Sequence, residues 1–327
     1  MNRYRHAVLG ASLALVSVSY EAGGGLVTQD PSPGTVRAPV VWKQLGTDVL
    51  ENLLFADGSI WISDSTAGTV RRFGPTGAEE AGLTGIASPG GLAEGPDGLI
   101  YAGHGSGILN ALTRNGAAKV VRFDPADPNG TVEDYAAGFN MANGMTFGPG
   151  GDLFVSNDFD YGLIRIPAAD PSSWSEFAHV WGTNGLAIVG GDLYANVTFD
   201  QRSPIERIPL DAPDDHETAV QLTFGVASLE PALYTDPDAT APLLGIKGLD
   251  DITRDGEGNL YPVANGLGEL LKVDPLTGDA CLLAGGLRNP SSVRIAPAGS
   301  GFDTSGEALT FYVVEFSGAI RIVGYTP

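Results

Sequence analysis

The chain has 327 residues, a formal net charge of −21 at pH 7, 46 glycines, 22 prolines and one cysteine. This acidic excess argues against nucleic acid or an anionic membrane surface as a partner, because both are recognised by clustered lysines and arginines. A hydrophobic fraction of 43% excludes a wholly disordered chain. The lone Cys281 excludes a disulfide within the chain and a zinc site built from cysteines. The glycine and proline content, which has no three-residue period, predicts many short elements joined by tight turns.

The N-terminal residues have the pattern of an export signal. Arg3 and Arg5 give a basic start, and about a dozen apolar residues follow, too few to span a bilayer. We therefore expect a cleaved signal peptide over residues 1–22 and a secreted or periplasmic protein; an uncleaved anchor is the alternative. Residues 23–37 are rich in Gly, Ser, Pro and Thr and are expected to form a linker. The folded domain would then comprise residues 38–327.

A short apolar strand, a glycine-containing turn and a second strand with an aromatic residue recur along the chain. Six copies have turn glycines that lie 40 to 67 residues apart. Because a four-stranded propeller blade needs about 40–45 residues, we predict an all-β fold, a six-bladed β-propeller around a central channel. The longer intervals indicate insertions around Asn110–Ala118 and Asp211–Thr240. The turn glycines are Gly58, Gly98, Gly151, Gly191, Gly258 and Gly299.

The segment Pro39–Lys43 precedes the first copy of the repeat. We expect it to form the outermost strand of the last blade, so that the two ends of the domain close the ring together. No helical period is sustained for more than a few residues, which argues against a doubly wound α/β fold.

Polar residues stand at the start of four of the predicted inner strands, which line the channel of a propeller. Glu51 and Asn184 lie seven residues before a turn glycine, and Asn143 and Asp250 lie eight residues before theirs. Two carboxylates and two carboxamides converging on one axis offer the hard oxygen ligands that Ca²⁺ prefers, whereas zinc favours His or Cys. The pattern predicts a site for Ca²⁺ or another divalent cation. The alternative is that each Asn-Gly pair is only a hairpin turn.

The motifs around these four residues are Glu51 ahead of Trp61 and Asp64, Asn143-Gly144 ahead of Pro149, Asn184-Gly185-Leu186, and Asp250 ahead of Asp255-Gly-Glu-Gly-Asn-Leu. Over residues 51–322 the pattern resembles the gluconolactonase/regucalcin family, which includes luciferin-regenerating enzyme and, more distantly, paraoxonases and strictosidine-synthase-like proteins. The resemblance implies a six-bladed propeller with one catalytic divalent cation, usually Ca²⁺. It implies that the ligands of this cation are Glu51, Asn143, Asn184 and Asp250.

The chain departs from the sugar-lactonase members of this family at two positions. Those members have an Arg two residues before the first Asn and an Asp directly after it, where this chain has Met141 and Gly144. A guanidinium that would hydrogen-bond to sugar hydroxyls is therefore missing. We expect Met141 to contact a less polar lactone or ester.

The resemblance also implies metal-assisted hydrolysis, in which the cation polarises the carbonyl oxygen. Asp250 is the expected general base. Asp251 is the second candidate and would contact the substrate, although strand alternation would turn it away from the channel. His104 follows the second strand of the second blade, where paraoxonase-like members place a His above the metal, and is a further candidate for proton transfer.

Three functions are compatible with this pattern. The leading interpretation is a secreted, metal-dependent carboxylic ester hydrolase that opens a small-molecule lactone. The alternatives are a binding propeller without catalytic activity and a propeller lyase or strictosidine-synthase-like enzyme, because a fold does not dictate a function. We expect a monomer that binds neither nucleic acid nor, after signal cleavage, a membrane.

Overall fold

The computed structural model describes residues 34–46, 48–222 and 247–327. Their strands form six antiparallel sheets of four strands each, and the innermost strands of neighbouring sheets contact one another around a complete ring. The predicted six-bladed β-propeller is therefore confirmed. None of the described helices is long and apolar enough to span a bilayer.

The strands follow the chain from the channel outward in blades 1 to 5, and in blade 6 the first strand of the chain is outermost. Blade 1 contains β2 (Leu50–Ala56), β3 (Ser59–Asp64), β4 (Thr69–Phe73) and β5 (Glu79–Thr84); blade 2 contains β6 (Leu92–Glu94), β7 (Ile100–His104), β8 (Ala118–Phe123) and β9 (Glu133–Phe139); blade 3 contains β10 (Met145–Phe147), β11 (Leu153–Val155), β12 (Tyr161–Ile166) and β13 (Ser175–Trp181). Blade 4 contains β14 (Thr183–Val189), β15 (Asp192–Val197), β16 (Pro204–Pro209) and β17 (Glu217–Gln221); blade 5 contains β18 (Leu249–Arg254), β19 (Leu260–Ala264), β20 (Glu269–Val273) and β21 (Ala280–Ala284); blade 6 contains β22 (Pro290–Ile295), β23 (Leu309–Glu315), β24 (Ala319–Thr326) and β1 (Thr35–Gln44).

The turn between the first two strands of a blade depends on glycine. In blade 1, Asp57 and Gly58 have φ values of 48° and 65° and connect the paired residues Ala56 and Ser59. Two residues with positive φ match the type I′ turn that a twisted hairpin needs. Four further predicted turn glycines also have positive φ, namely Gly98, Gly151, Gly258 and Gly299. In blade 4 the residue with positive φ is Gly190 rather than the predicted Gly191.

The last blade is closed by the start of the domain, as the sequence predicts. β1 pairs with β24 in antiparallel register, from Thr35 opposite Thr326 to Gln44 opposite Ala319. The strand therefore includes residues 35–37, the end of the predicted linker. The predicted signal peptide and the linker up to residue 33 lie outside the described residues.

The first predicted insertion lies between two strands, and the described part of the second includes one. The first contains a short helix, α1 (Ile108–Thr113), between β7 and β8. The second contains a single 3₁₀ turn at Pro213–Asp215 followed by β17, and its residues 223–240 lie outside the described residues.

Apolar side chains fill the space between the blades rather than the channel alone. Six buried clusters are present, and each contains residues of two neighbouring blades. Trp61 of blade 1 and Phe123 of blade 2, for example, have ring centroids 5.5 Å apart. Every blade thus packs against both of its neighbours. The six inner strands start at the same end of the channel, which we call the upper mouth.

Trp42 on β1 joins the closing strand to the interface between blades 6 and 1. Its ring centroid lies 6.3 Å from that of Phe73, 6.2 Å from Phe302 and 5.4 Å from Tyr312. We expect Trp42→Ala to lower the free energy of unfolding by about 2–3 kcal/mol, because it removes a large, partly buried aromatic group. The neighbouring Val41, 51% exposed on the same strand, is the control, and Val41→Ala should cost about 0.5 kcal/mol or less. Equal losses in a denaturant titration would contradict a closing role for Trp42.

Candidate functional site

A β-bulge interrupts the pairing of the inner strands near the upper mouth. In blade 5 the register passes from Leu249 opposite Ala264 directly to Ile252 opposite Pro262, so two residues oppose one. The same two-against-one arrangement recurs in every blade. A bulge re-aims side chains at the end of a strand. The two residues are Glu51-Asn52, Gly90-Gly91, Asn143-Gly144, Asn184-Gly185, Asp250-Asp251 and Ser291-Ser292 in blades 1 to 6.

The four predicted cation ligands are the first residues of these pairs in blades 1, 3, 4 and 5, and their side chains converge. Asn184 Nδ2 donates a hydrogen bond of 3.1 Å to Asp250 Oδ1. The charge of Glu51 acts on Asp250, since it is among the groups that raise the pKa of Asp250. Asn143 lies near enough to Asp158 to act on its pKa, and the charge of Asp158 in turn acts on Glu51. The structure thus brings the four residues together at one site.

Two residues of this cluster, Asp158 and Asn265, are not among the candidates from the sequence. Asp158 follows β11, and Asn265 follows β19 and donates a 3.2 Å hydrogen bond to Asp250 Oδ2. Asn265 comes directly after β19, and Asp158 lies two residues further from the end of β11; both second strands end at the mouth where the paired inner strand begins. The signal in the sequence is therefore a polar residue shortly after the second strand in blades 3 and 5, in addition to those at the starts of inner strands.

The three clustered carboxyl groups share raised pKa values. Burial, followed by repulsion from Asp158 and Asp251, raises the pKa of Glu51 to about 8. Burial raises the pKa of Asp158 to about 7, although Asn143 works in the opposite direction. Burial and then the charge of Glu51 hold the pKa of Asp250 well above its ordinary range. Three anions at this site would therefore repel one another strongly without a compensating cation.

This donor set fits a hard divalent cation. Asp158 Oδ1 is buried and, within the described ranges, has no hydrogen-bond partner. No group of three or more His, Cys, Asp or Glu side chains among the described residues is arranged to hold a metal by itself. A cation at the mouth would consequently need carboxamide oxygens of Asn143 and Asn184 beside the carboxylates. Mixed carboxylate and carboxamide oxygens are typical of calcium sites.

Asp251 does not face away from the channel, because the bulge cancels the strand alternation at this point. Its Oδ2 accepts hydrogen bonds from Ser292, from Arg294 and, at 3.5 Å, from Asn52. Its Oδ1 accepts the backbone N–H of Ile252 at 2.8 Å. Asp251 is 3% exposed and links the inner strand of blade 5 to those of blades 6 and 1. These contacts favour a positioning role; its predicted role in substrate binding stays a prediction.

Glycines occupy the second bulge position in blades 2, 3 and 4, where the neighbouring blade comes very close. A Cβ at Gly144 would lie 2.2 Å from the backbone oxygen of Asn184, and a Cβ at Gly91 would lie 2.0 Å from that of Asn143. At Gly185 it would lie 2.5 Å from the Cα of Asp251. An Asp at position 144, as in sugar lactonases, would therefore require blade 4 to move.

Met141 and His104 lie near the same end of the propeller. Among the described residues, no hydrogen bond or ion pair joins either of them to the cluster. Met141 is 5% exposed in the connection between β9 and β10. Burial and the charge of Lys119 lower the pKa of His104, while Asp134 opposes them. Lys119 and Asp134 lie on β8 and β9, so the charges acting on this imidazole come from the outer half of blade 2. The proposed roles of Met141 and His104 remain predictions.

Comparison with known proteins reveals similarity in fold. No family model matches the sequence, and no curated protein matches it. A gluconolactonase from Xanthomonas campestris has 12% identity and a TM-score of 0.62, covering 90% of this chain and 96% of that one. Regucalcin, a calcium-binding protein from Agrobacterium tumefaciens, has 14% identity and a TM-score of 0.62, covering 92% and 96%. Virginiamycin B lyase from Staphylococcus aureus has 13% identity and a TM-score of 0.55, covering 89% and 99%.

The structural neighbours include the two kinds of protein that the sequence motifs resemble, a gluconolactonase and a regucalcin. At such low identities the similarity shows a shared fold. It does not identify the reaction, because a gluconolactonase and a lyase have this same fold.

Proposed function

We propose that this protein is a metal-dependent hydrolase that opens a lactone or a related ester at the upper mouth. The observation that carries the proposal is the convergence of the buried Asp250 and the partly buried Glu51, which repel each other, with the carboxamides of Asn143 and Asn184 at equivalent bulge positions of four blades. The similarity in fold to a gluconolactonase supports it. We further propose Ca²⁺ as the cation and residues 1–22 as an export signal.

The proposed ligands are Glu51, Asn143, Asn184 and Asp250, with Asp158 beside them. A bound divalent cation would polarise the carbonyl group of the substrate and stabilise the negative charge that develops on its oxygen. Asn184 and Asn265 hold one oxygen each of the Asp250 carboxylate, at 3.1 and 3.2 Å. Those two hydrogen bonds fix the carboxylate in the mouth and orient its oxygens for proton transfer.

The proposed reaction uses Asp250 as the general base. Asp250 takes a proton from water as the water oxygen bonds to the acyl carbon, and the ring C–O bond then breaks. The same proton then passes from Asp250 to the alkoxide oxygen released from the ring, and the product is a hydroxy acid. The hydrogen bonds from Asn184 and Asn265 hold this carboxylate in the mouth, in position to accept the proton.

Removal of the cation tests the proposal. We expect hydrolysis of a panel of γ- and δ-lactones to fall about 10²-fold or more in excess chelator and to return when Ca²⁺ is added, because carbonyl polarisation would be lost. Elemental analysis of the purified protein and mass spectrometry of the products complete the test. Turnover that persists in chelator would contradict the proposal. An eliminated, unhydrated product would indicate a lyase instead.

A further inference from the structure

A cavity of about 410 Å³ opens at the upper mouth, between the loops of blades 5 and 6. Its volume is in the range of small-molecule sites. Three loops line it: Asn265–Gly268 between β19 and β20, Leu287–Asn289 before β22, and Phe316–Ser317 between β23 and β24.

The cavity adjoins the candidate site through one side chain. Asn265, which lines the cavity, donates through Nδ2 to Asp250 Oδ2 at 3.2 Å and to the backbone oxygen of Pro290 at 3.3 Å. The wall of the cavity therefore begins one hydrogen bond away from the proposed general base. A substrate whose reacting carbonyl lies near Asp250 would reach this space by passing over Asn265.

Hydrogen bonds between the three loops hold the cavity open. Asn289 donates through Nδ2 to the backbone oxygen and to Oδ1 of Asn265, both at 3.2 Å, and its backbone oxygen accepts the N–H of Phe316 at 3.0 Å. The backbone N–H of Arg288 donates to Glu315 Oε1 at 2.9 Å. Asn289 has a left-handed φ of 50°, a conformation that persists where surrounding contacts enforce it. Loops fixed in this way lose little entropy when a ligand binds.

The lining combines an apolar surface with one cation. Leu267, 39% exposed, and the partly exposed Phe316 supply apolar side chains, whereas Leu287 is 6% exposed and packs in the core beneath. The side chain of Arg288 is exposed, and within the described parts of the chain its guanidinium has neither an ion pair nor a hydrogen bond. Most of the other arginines of this protein have carboxylate partners, as Arg207 does with Asp192 and Glu217. An unpaired guanidinium beside the exposed Leu267 and the partly exposed Phe316 is suited to a ligand with an anionic end and a short apolar chain.

We infer that this cavity binds the side chain of the substrate and that the preferred substrate is a lactone whose apolar chain ends in a carboxylate, paired with Arg288. The inference rests on the proposed function for the reacting end of the ligand. A guanidinium is missing where sugar lactonases have one, at Met141, and Arg288 supplies one from another side of the mouth. Because the protein as a whole carries −21, selectivity for an anion requires such a local cation.

A pair of matched substrates tests the inference. The probes are a γ-butyrolactone with an ω-carboxyalkyl chain and its primary carboxamide. We expect the ratio of their kcat/KM values, carboxylate over carboxamide, to fall about tenfold in Arg288→Gln, since a charge-assisted hydrogen bond is lost. Arg288→Lys should retain part of the ratio.

The control removes the same charge elsewhere. Arg254 is exposed at the opposite end of blade 5, where its Nη1 donates to the backbone oxygen of Asp255. Arg254→Gln should keep the wild-type ratio. An unchanged ratio in Arg288→Gln, or an equal fall in Arg254→Gln, would overturn the inference.

Binding of an analogue that cannot be hydrolysed separates the inference from the proposed function. We expect an ω-cyclopentylalkanoic acid, which has a free carboxylate and no ester bond, to bind the wild-type protein in calorimetry and to bind Arg288→Gln about tenfold more weakly. If the wild-type protein hydrolyses no lactone but shows this difference, the proposed function fails and the anion site stands. If it hydrolyses lactones but shows neither the difference in binding nor the difference in ratio, only the anion site fails.

Discussion

Replacing Asp250 with Asn should lower kcat/KM for lactone hydrolysis by about 10³-fold or more, because it removes the general base and one charge of the cation site together. The side chain keeps its size, so hydrogen bonding with Asn184 and Asn265 can continue in part if an amide turns to present its oxygen. Steady-state kinetics over the lactone panel at saturating Ca²⁺ measure the loss. A loss of less than tenfold would remove Asp250 from the proposed role.

The same substitution should stabilise the metal-free protein. Asp250 is 6% exposed and lies among Glu51, Asp158 and Asp251, so its charge is both desolvated and repelled. Neutralising it relieves that repulsion, and we expect a higher Tm for Asp250→Asn than for the wild-type protein in chelator at neutral pH. A loss of activity accompanied by a gain in stability distinguishes a functional residue from one that merely holds the fold.

Glu257 provides the matched control for both measurements. It is an exposed carboxylate on the same blade, in the turn at the opposite end of β18. Glu257→Gln removes one negative charge from the protein but none from the upper mouth. Its kcat/KM should stay within about twofold of wild type and its Tm should hardly change, as expected for an exposed position. A lower Tm for Asp250→Asn in chelator would mean that the lost hydrogen bonds outweigh the relieved repulsion.

The fold could be predicted from the sequence because its information is local and repeated. Each blade carries its own turn signal, such as Asp57-Gly58, and its own pair of apolar strands, so six weak patterns support one another. The closing strand followed from the same argument, since a ring needs a partner for the last blade and Pro39–Lys43 was the segment left without one. The structure extends that strand to Thr35–Gln44.

The candidate site was predicted only where it follows the same period. The four predicted ligands stand at equivalent positions of their blades. Their spacing to the turn glycines, seven or eight residues, indicates this equivalence to within one residue. The bulge explains what strand alternation could not, because two-against-one pairing lets Asp251 bond to Asn52 and Ser292 instead of turning away. A bulge leaves little trace in a single sequence, since it changes the register by one residue and not the composition.

The remaining residues of the site depend on contacts between distant parts of the chain. The sequence around Asp158 has no feature that separates it from other loop aspartates. It belongs to the cluster because the folded chain places it close to Asn143 and Glu51. Arg288 likewise becomes a candidate ligand-binding residue only because three loops fold together into a cavity around it. Such features arise from tertiary packing, which no local pattern records.

The metal-free protein should lose stability as the pH rises from about 4 to about 8. The pKa of Glu51 rises from 4.5 to about 8 in the folded protein, and that of Asp158 rises from 3.8 to about 7. Within this window the folded state holds protons that the unfolded chain has released, so the free energy of unfolding falls with increasing pH. Each group contributes at most about 1.4 kcal/mol per pH unit. Carboxyl groups with lowered pKa values, such as Asp255, titrate on the acid side of the window and act in the opposite direction.

Calcium should abolish this dependence, because a bound cation replaces the protons that Glu51, Asp158 and Asp250 otherwise need. We expect the Tm in chelator to fall steadily between about pH 5 and pH 8, and the Tm in excess Ca²⁺ to stay nearly level over the same range. Asp158→Asn should make the slope in chelator shallower, since it removes one of the three carboxyl groups with raised pKa values, whereas Glu257→Gln should leave it unchanged. A Tm that rises with pH in chelator would mean that these carboxylates are not mutually repelling in the metal-free protein, and the argument for a cation at the upper mouth would lose its electrostatic basis.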